Sequence, residues 1–140
     1  MKKEKSQKNK ITKYTAGHLD GYINGFYRSL KCFRDQNFVG ARLEASRSVH
    51  FFLNTIFGVE GRTTPYYKYL EWELEKYPLK FPIKPKDLIK MLLRILEDAD
   101  IQTQQKLFNV VEKVFRNAGY SNIFDAWDAG SIKLIKSFKK

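Results

Sequence analysis

Apolar residues recur every three or four positions along most of this chain, which is the spacing of one face of an α-helix. The first such stripe consists of Leu19, Tyr22, Ile23, Phe26, Leu30 and Phe33. A second helix, at about residues 38–57, is apolar nearly all round, which is typical of the central helix of a bundle. No alternating β-branched run bounded by turn residues appears in the sequence. The pattern predicts an all-α fold: a bundle of about five helices, with a four-helix-bundle-like core and short C-terminal helices.

Capping residues and prolines set the predicted bounds of the later helices. Thr64 and Pro65 favour a helix start, and Pro78 ends that helix. Asp100 is the expected cap of the fifth helix, and Gly119 is its expected stop. The predicted segments are about residues 65–77, 86–98 and 101–118, followed by short helical turns at about 124–129 and 132–138.

Two expectations concern which side chains of these helices face inwards. Arg42 lies beside the main apolar stripe of the second helix, so we expect it to be buried and paired with Glu73 or Asp20. The inner positions of the third helix are expected to be Tyr66, Leu70, Leu74 and Tyr77.

Three glycines follow each other at four-residue intervals on a second face of the first helix. Gly17, Gly21 and Gly25 each cost about 1 kcal/mol of helix stability relative to alanine, so their spacing needs a reason. One interpretation is frayed early turns together with the close approach of a neighbouring helix. The other is that this face lies against a partner domain or a ligand.

Positive charge is concentrated at the two ends of the chain. The 140 residues carry 26 Lys and Arg against 15 Asp and Glu, a net charge of +11. Residues 1–14 hold six lysines and one glutamate, and the last eight residues hold four lysines, so the body between them is nearly neutral. A nucleic-acid-binding domain normally carries its basic charge on folded faces. We therefore divide the chain into a basic flexible N-terminal tail, 1–14, and a single helical-bundle domain, 15–140.

Few residues could support catalysis or metal binding. Cys32 is the only cysteine, which excludes an internal disulfide and fits a cytoplasmic location. Cys32, His18 and His50 lack metal-site spacing, so no zinc site is expected, and Cys32 and His50 are interpreted as packed residues. One common class of helical nucleases needs an arginine shortly before the histidine. The corresponding positions before His50 are Leu43, Glu44 and Ala45, so this nuclease motif is absent.

Other signals of function are also missing from the sequence. No stretch approaches the length of about 18–20 apolar residues that a membrane span needs, and no glycine-rich phosphate loop follows a strand. Asp98 and Asp100 form an acidic pair, but we interpret them as a solvated cap of the next helix rather than as metal ligands.

The chain contains three ordered segments with a recognisable spacing: Tyr27–Cys32 (YRSLKC), Ala41–Val49 (ARLEASRSV) and Pro65–Leu74 (PYYKYLEWEL). Together they resemble the helical C-terminal, substrate-binding half of bacterial nucleotidyltransferase-like proteins. These belong to the polymerase-beta-type superfamily and are related to the aminoglycoside nucleotidyltransferases. The resemblance covers about residues 19–79, and Trp127–Asp128 agrees loosely with the same family. In such proteins an N-terminal α/β half carries Gly-Ser and a metal-binding Asp-x-Asp, and the helical half closes the cleft and holds the acceptor.

The resemblance implies a helical lid that lacks the catalytic half and is inactive alone. The implied substrate-binding residues are Arg28, Lys31, Arg42, Glu44, Tyr66, Tyr67 and Lys68. Among them Lys68 would lie near phosphate and Glu44 near an acceptor hydroxyl, while an internal network of ion pairs is the alternative for Arg42 and Glu44. No cofactor is expected in this chain; Mg²⁺ and a nucleoside triphosphate belong to the complete enzyme. The implied partners are an N-terminal catalytic domain, in the same or a separate chain, and a small-molecule acceptor.

Two other functions stay open on the sequence alone. The chain could be a nucleic-acid-binding module, with weak and non-specific affinity through its basic ends. It could also be a protein-interaction module that docks through the glycine face. No membrane partner is expected.

Overall fold

The computed structural model describes residues 2–139, and Met1 and Lys140, at the two basic ends, lie outside this range. The helices are α1 (Lys2–Arg34), α2 (Phe38–Gly58), α3 (Leu70–Lys76), α4 (Pro85–Asp98), α5 (Ile101–Phe115), α6 (Ser121–Asp125) and α7 (Ala129–Ser137). No strand occurs in the part of the chain that the structure describes. Within the same range, no helix combines the length and the apolar character needed to cross a bilayer. The predicted all-α bundle is confirmed.

α1 begins earlier than its apolar stripe indicated. It runs for 33 residues, starting at Lys2. The side chains of residues 3–10 are all exposed, and Thr15 is the first that is fully buried. The stripe could not locate this start because residues 3–10 include no apolar side chain. The flexibility expected for residues 1–14 stays a prediction.

α1 and α2 form an antiparallel pair joined by a tight turn. Gln36 takes a positive φ of 58°, and the side chain of Asn37 caps α2 by accepting a hydrogen bond of 2.9 Å from the Gly40 amide. Between the helices, Ser29 Oγ donates a hydrogen bond of 2.8 Å to the Ala41 carbonyl. This buried contact fixes the register of the pair near the turn.

The glycine face of α1 is where α2 approaches. A Cβ placed on Gly25 would lie 2.9 Å from Ser48 Cβ and 3.1 Å from the Ser48 amide nitrogen. A Cβ on Gly21 would lie 2.6 Å from the Phe51 ring, whereas one on Gly17 would have nothing within 4 Å. The expected close approach of a neighbouring helix is confirmed at Gly21 and Gly25. At these two positions the glycine face is therefore already occupied within the chain.

The other helices close the core around aromatic side chains. α4 packs against α2, and α5 packs against both α4 and α1. The rings of Phe26 and Phe108 lie 5.9 Å apart and link α1 to α5, and Phe124 of α6 lies 6.0 Å from Phe108. All three rings are buried, and each contributes about 2 kcal/mol through the apolar surface it removes from water.

The predicted third helix is shorter than expected. A 3-10 turn at Tyr67–Tyr69 precedes α3, and Thr64 Oγ1 donates a hydrogen bond of 2.7 Å to Asn54 Oδ1 instead of capping a helix. The expected inner stripe was only half right. Leu70 and Leu74 are buried, but Tyr66 and Tyr77 are 74% and 50% exposed. α3 has only two turns and buries one narrow side. Tyr66 precedes the 3-10 turn and Tyr77 follows the last residue of α3, so both face solvent.

Both ends of α5 carry the residues that the sequence predicted there. Asp100 caps the helix by accepting a hydrogen bond of 3.0 Å from the Thr103 amide. The α-helix ends at Phe115, three residues earlier than predicted, and continues as a wider π-helical turn over Arg116–Tyr120. Gly119 takes a positive φ of 98° there, a left-handed conformation that favours glycine.

Candidate functional site

The seven substrate-binding residues expected from the resemblance lie on α1, on α2 and at the 3-10 turn, but they do not form one cluster. Arg28 and Lys31 lie near the end of α1, and Glu44 lies on the antiparallel α2 beside them. Tyr66, Tyr67 and Lys68 precede α3, and Tyr67 contacts α2 at His50. Glu44 and His50 are six residues apart, so about 9 Å of helix rise separates the two groups.

The prediction for Arg42 was wrong. Its side chain is exposed at the start of α2, and both expected partners are engaged elsewhere. Glu73 accepts a hydrogen bond of 2.8 Å from Arg62, and Asp20 accepts one of 3.0 Å from the Trp127 indole. Arg42 lies on the same side of α2 as buried Val49 and Leu53, but about two turns closer to the helix start, where its side chain is exposed.

Glu44 has an unusual environment for a carboxylate. Its side chain is 22% exposed, and Oε2 is shut off from water without a hydrogen-bond partner among the described residues. The Arg47 guanidinium approaches Oε2 only to 3.9 Å, beyond hydrogen-bonding distance. Burial, and then the negative charges of Glu44 and Asp35, raise the pKa of the Cys32 thiol. Glu44 therefore keeps an unused acceptor oxygen next to the α1–α2 seam.

Arg42 and Glu44 do not form the internal network of ion pairs that was the alternative to substrate binding. Glu44 makes the single long contact with Arg47, and Arg42 is open to solvent. Cys32 is partly buried against the core, as the interpretation of a packed residue required. Its raised pKa keeps the thiol protonated at neutral pH, which makes it a poor nucleophile.

Lys31 belongs to a different part of the surface. Its ammonium lies 4.7 Å from the centre of the Tyr27 ring, and that ring packs edge-on against Trp127 at 5.5 Å. The indole of Trp127 in turn donates to Asp20. These contacts tie the segment before α7 to α1, and they give Lys31 and Tyr27 a structural role there.

Tyr67 reaches α2 through His50. Its hydroxyl lies 2.7 Å from His50 Nδ1, and the two rings are 5.4 Å apart. His50 is exposed, so its interpretation as a packed core histidine was wrong. The side of α2 that carries His50 faces the incoming 3-10 turn, not the core.

The second histidine joins the same surface, which the sequence did not reveal. His18 stacks between Tyr14, at 4.3 Å, and Phe51, at 5.6 Å, and its Nδ1 lies 3.5 Å from Asn54 Nδ2. The five rings concerned, which we call the histidine face, are Tyr14, His18, His50, Phe51 and Tyr67. They come from three elements separated along the chain, and their only sequence signal is that they include both histidines.

Burial shifts the pKa of two side chains of the histidine face. It lowers the pKa of His18, which favours the neutral ring at pH 7. Burial, and then the charge of ionised Tyr14, raise the pKa of the Tyr67 hydroxyl, so Tyr67 stays a neutral donor. The face therefore offers the neutral His18 ring, a phenol hydroxyl and aromatic edges. Such groups recognise hydroxyls, amines and ring faces rather than bare charge.

Tyr66 and Lys68 lie beside this face and are open to solvent. The Tyr66 and Tyr69 rings are 6.1 Å apart, and the Lys68 ammonium lies 5.8 Å from the centre of the Tyr69 ring. Both side chains are exposed.

Metal chemistry has no candidate ligand set in the described residues. No group of three or more histidine, cysteine, aspartate or glutamate side chains could hold an ion there. Asp100 accepts hydrogen bonds from the amide and the hydroxyl of Thr103, and its interpretation as a helix cap is confirmed. Asp98 lies 3.6 Å from Arg94. Arg94 also lies 3.7 Å from Asp100, so both carboxylates face its guanidinium.

No protein-family model matches the chain, and neither a curated protein nor a solved structure matches it.

Proposed function

We propose that this chain is the helical, acceptor-binding half of a nucleotidyltransferase-like protein, and that it transfers no nucleotide by itself. The observation that carries the proposal is the buried carboxylate oxygen of Glu44, which has no hydrogen-bond partner among the described residues. Arg28 lies near the end of α1, and the His50–Tyr67 pair lies six residues further along α2 than Glu44.

The physical argument begins with the cost of leaving Glu44 Oε2 unbonded. A buried acceptor without a donor typically costs about 1–3 kcal/mol, and more if it is charged. Because Oε2 is shut off from solvent, the carboxylate must rotate before a ligand hydroxyl or ammonium can donate to this oxygen and relieve that cost. A site that holds an acceptor alcohol or amine for nucleotide transfer needs such an oxygen, because the acceptor group must be fixed in one orientation.

The exposed apolar surface supports the presence of a second half. Val39 and Leu43 lie four residues apart on α2 and are 72% and 62% exposed, and Leu93 and Leu96 of the adjacent α4 are 57% and 40% exposed. Large apolar side chains that remain on a surface often mark a protein–protein interface. A catalytic domain packed on this side would cover them.

The catalytic steps themselves are assigned to the other half. Nucleotidyl transfer needs carboxylate-held metal ions and a grip on the triphosphate. Among the described residues, no group of acidic, histidine or cysteine side chains could hold such an ion. The roles proposed here are to hold the acceptor through Glu44, to order it against Tyr67, and to contact phosphate through Lys68.

The direct test uses the chain alone and two small probes. In two-dimensional amide NMR, glucosamine is expected to shift resonances around Glu44, Arg28 and His50 more than glucose does, because its ammonium can donate to the carboxylate. Glu44→Gln should abolish the difference. Glu97→Gln, which neutralises an exposed glutamate on α4, should leave it intact. Shifts elsewhere, or an equal response from both Gln variants, would contradict the proposal.

A second test measures activity. The chain alone, with a radiolabelled nucleoside triphosphate and Mg²⁺ or Mn²⁺, is expected to label no acceptor. When it is joined to a catalytic domain that carries Gly-Ser and Asp-x-Asp, labelling should depend on it. Lys68→Ala should then slow the reaction, whereas Lys106→Ala on α5 should not. Metal-dependent transfer by the chain alone would overturn the proposal.

A further inference from the structure

The first turns of α1 form a basic surface that stands apart from the core. Residues 3–10 are helical with every side chain exposed, so about 12 Å of helix extends beyond the packed part of the bundle. Ile11 and Tyr14 are anchored beside Gly61 and Gly58. We call residues 3–13 the basic arm. It carries five lysines and one glutamate.

Three of these lysines share one side of the arm. Lys5, Lys10 and Lys13, together with Ser6 and Asn9, line a shallow cavity of about 430 Å³. No acidic side chain lines it. Lysines at close helical positions repel each other, and an external anion placed among them removes that repulsion.

The composition of the arm identifies the kind of anion. A helix that inserts into a bilayer, or pairs with another helix, needs an apolar stripe, and residues 3–10 have none. Lysine, serine and asparagine are the side chains that contact phosphate oxygens of nucleic acids. Single strands are additionally held by aromatic stacking, and residues 3–13 include no aromatic ring. A duplex, which presents rows of phosphates and no free base faces, fits these side chains.

We propose that the basic arm binds the phosphate backbone of double-stranded nucleic acid without sequence selectivity. The contact is electrostatic, through Lys5, Lys10 and Lys13, with Ser6 and Asn9 donating to the same phosphates. It does not involve Glu44 or the histidine face, so it stands independently of the acceptor-binding role. DNA and RNA duplexes share this backbone chemistry.

The test measures binding of the full chain to labelled DNA and RNA duplexes of about 20 base pairs by fluorescence anisotropy, between about 50 and 200 mM salt. The logarithm of the affinity should fall linearly with the logarithm of the salt concentration, by about 0.9 for each phosphate neutralised. Replacing Lys5, Lys10 and Lys13 by Gln should reduce that slope by about 2.7 and weaken binding about tenfold or more at the lowest salt.

A matched control tests whether binding depends on the lysines of the basic arm or only on the net charge of the chain. Lys106→Gln, Lys113→Gln and Lys133→Gln together remove the same charge from exposed positions of α5 and α7. This variant should keep the slope of the parent chain, and circular dichroism should show that both triple variants retain the helical fold. Equal loss in the two variants, no binding by the parent, or tighter binding to phosphatidylserine vesicles than to either duplex would overturn the proposal. Binding to only one duplex type would identify that type as the partner.

Discussion

Single side chains decide how closely α1 and α2 approach each other. Gly25 lies against the backbone of Ser48, Gly21 against the edge of the Phe51 ring, and Gly17 against nothing. The same residue type, repeated every four positions, therefore has different energetic consequences along one helix. A backbone neighbour cannot move aside, while the end of a side chain can.

Alanine is expected to have opposite effects at two of these glycines. Gly25→Ala should destabilise the protein by about 1–3 kcal/mol, because the added methyl group overpacks the seam at Ser48. Gly17→Ala should stabilise it by up to about 1 kcal/mol, because a methyl group there meets nothing and alanine favours the helix. Urea denaturation measures whether each variant has a lower or a higher free energy of unfolding than the parent chain. A stabilised Gly25→Ala would mean that α2 does not approach α1 so closely.

Tyr22 is buried with no hydrogen-bond partner for its hydroxyl among the described residues. Burial raises the pKa of this phenol far above its usual range. Tyr22→Phe removes the unsatisfied hydroxyl and keeps the ring that packs on Phe52 at 5.7 Å. We expect the variant to be more stable by about 1 kcal/mol. A loss of stability in the same denaturation experiment would indicate a partner for the hydroxyl.

Helix ends depend on single caps whose effect can be followed by pH. The Asp100 carboxylate accepts from the Thr103 hydroxyl at 2.6 Å and from the Thr103 amide, and it faces Arg94 at 3.7 Å and Lys106 more weakly. The hydrogen bond from the Thr103 hydroxyl is the main cause that lowers the pKa of Asp100 in the folded protein. The carboxylate therefore stabilises α5 only while it is ionised.

Replacing Asp100 should change the stability of the bundle in two distinguishable ways. Asp100→Ala should cost about 1 kcal/mol at pH 7 through the lost cap, and Asp100→Asn much less, because asparagine also caps helices. Since the folded pKa lies below the unfolded value of about 3.9, the stabilisation by ionised Asp100 is fully present above the unfolded value and is lost as pH falls through the lower, folded pKa. Thermal unfolding from pH 7 to pH 3 should show the parent losing stability relative to Asp100→Asn. An equal loss of thermal stability with falling pH in the parent and in Asp100→Asn would contradict the lowered pKa of Asp100.

The whole molecule divides into a packed bundle and a helical arm that contributes nothing to the core. Among the described residues, buried side chains occur between Thr15 and Ile135, while residues 3–10 expose every side chain. Stability and the proposed binding of nucleic acid should therefore be separable by truncation.

Removing residues 1–10 is expected to leave the free energy of unfolding within about 0.5 kcal/mol, because residues 3–10 bury no side chain. The same truncation should remove most of the duplex affinity. The measurement is chemical denaturation of the truncated and full chains side by side. A loss of several kcal/mol would mean that the arm packs on the bundle.

Much of this fold could be predicted because apolar periodicity and caps are local properties. The bounds of α2 and α4, the cap at Asp100 and most of the buried side chains of α1 and α5 follow from residues a few positions apart. The exceptions occur where the local signal is weak. The 3-10 turn before α3 and the polar first turns of α1 show no apolar stripe from which to read their bounds.

The candidate site could be predicted only in part, because contacts between distant residues decide it. The amino-acid sequence by itself determined an all-α bundle with its charge at the ends, since each helix buries the stripe that its own residues create. Only the tertiary structure decided that Arg42 faces solvent, that Glu44 keeps an unbonded oxygen, and that His50 meets Tyr67. These outcomes depend on which side of a helix its neighbours leave uncovered, and that is a property of the packed chain.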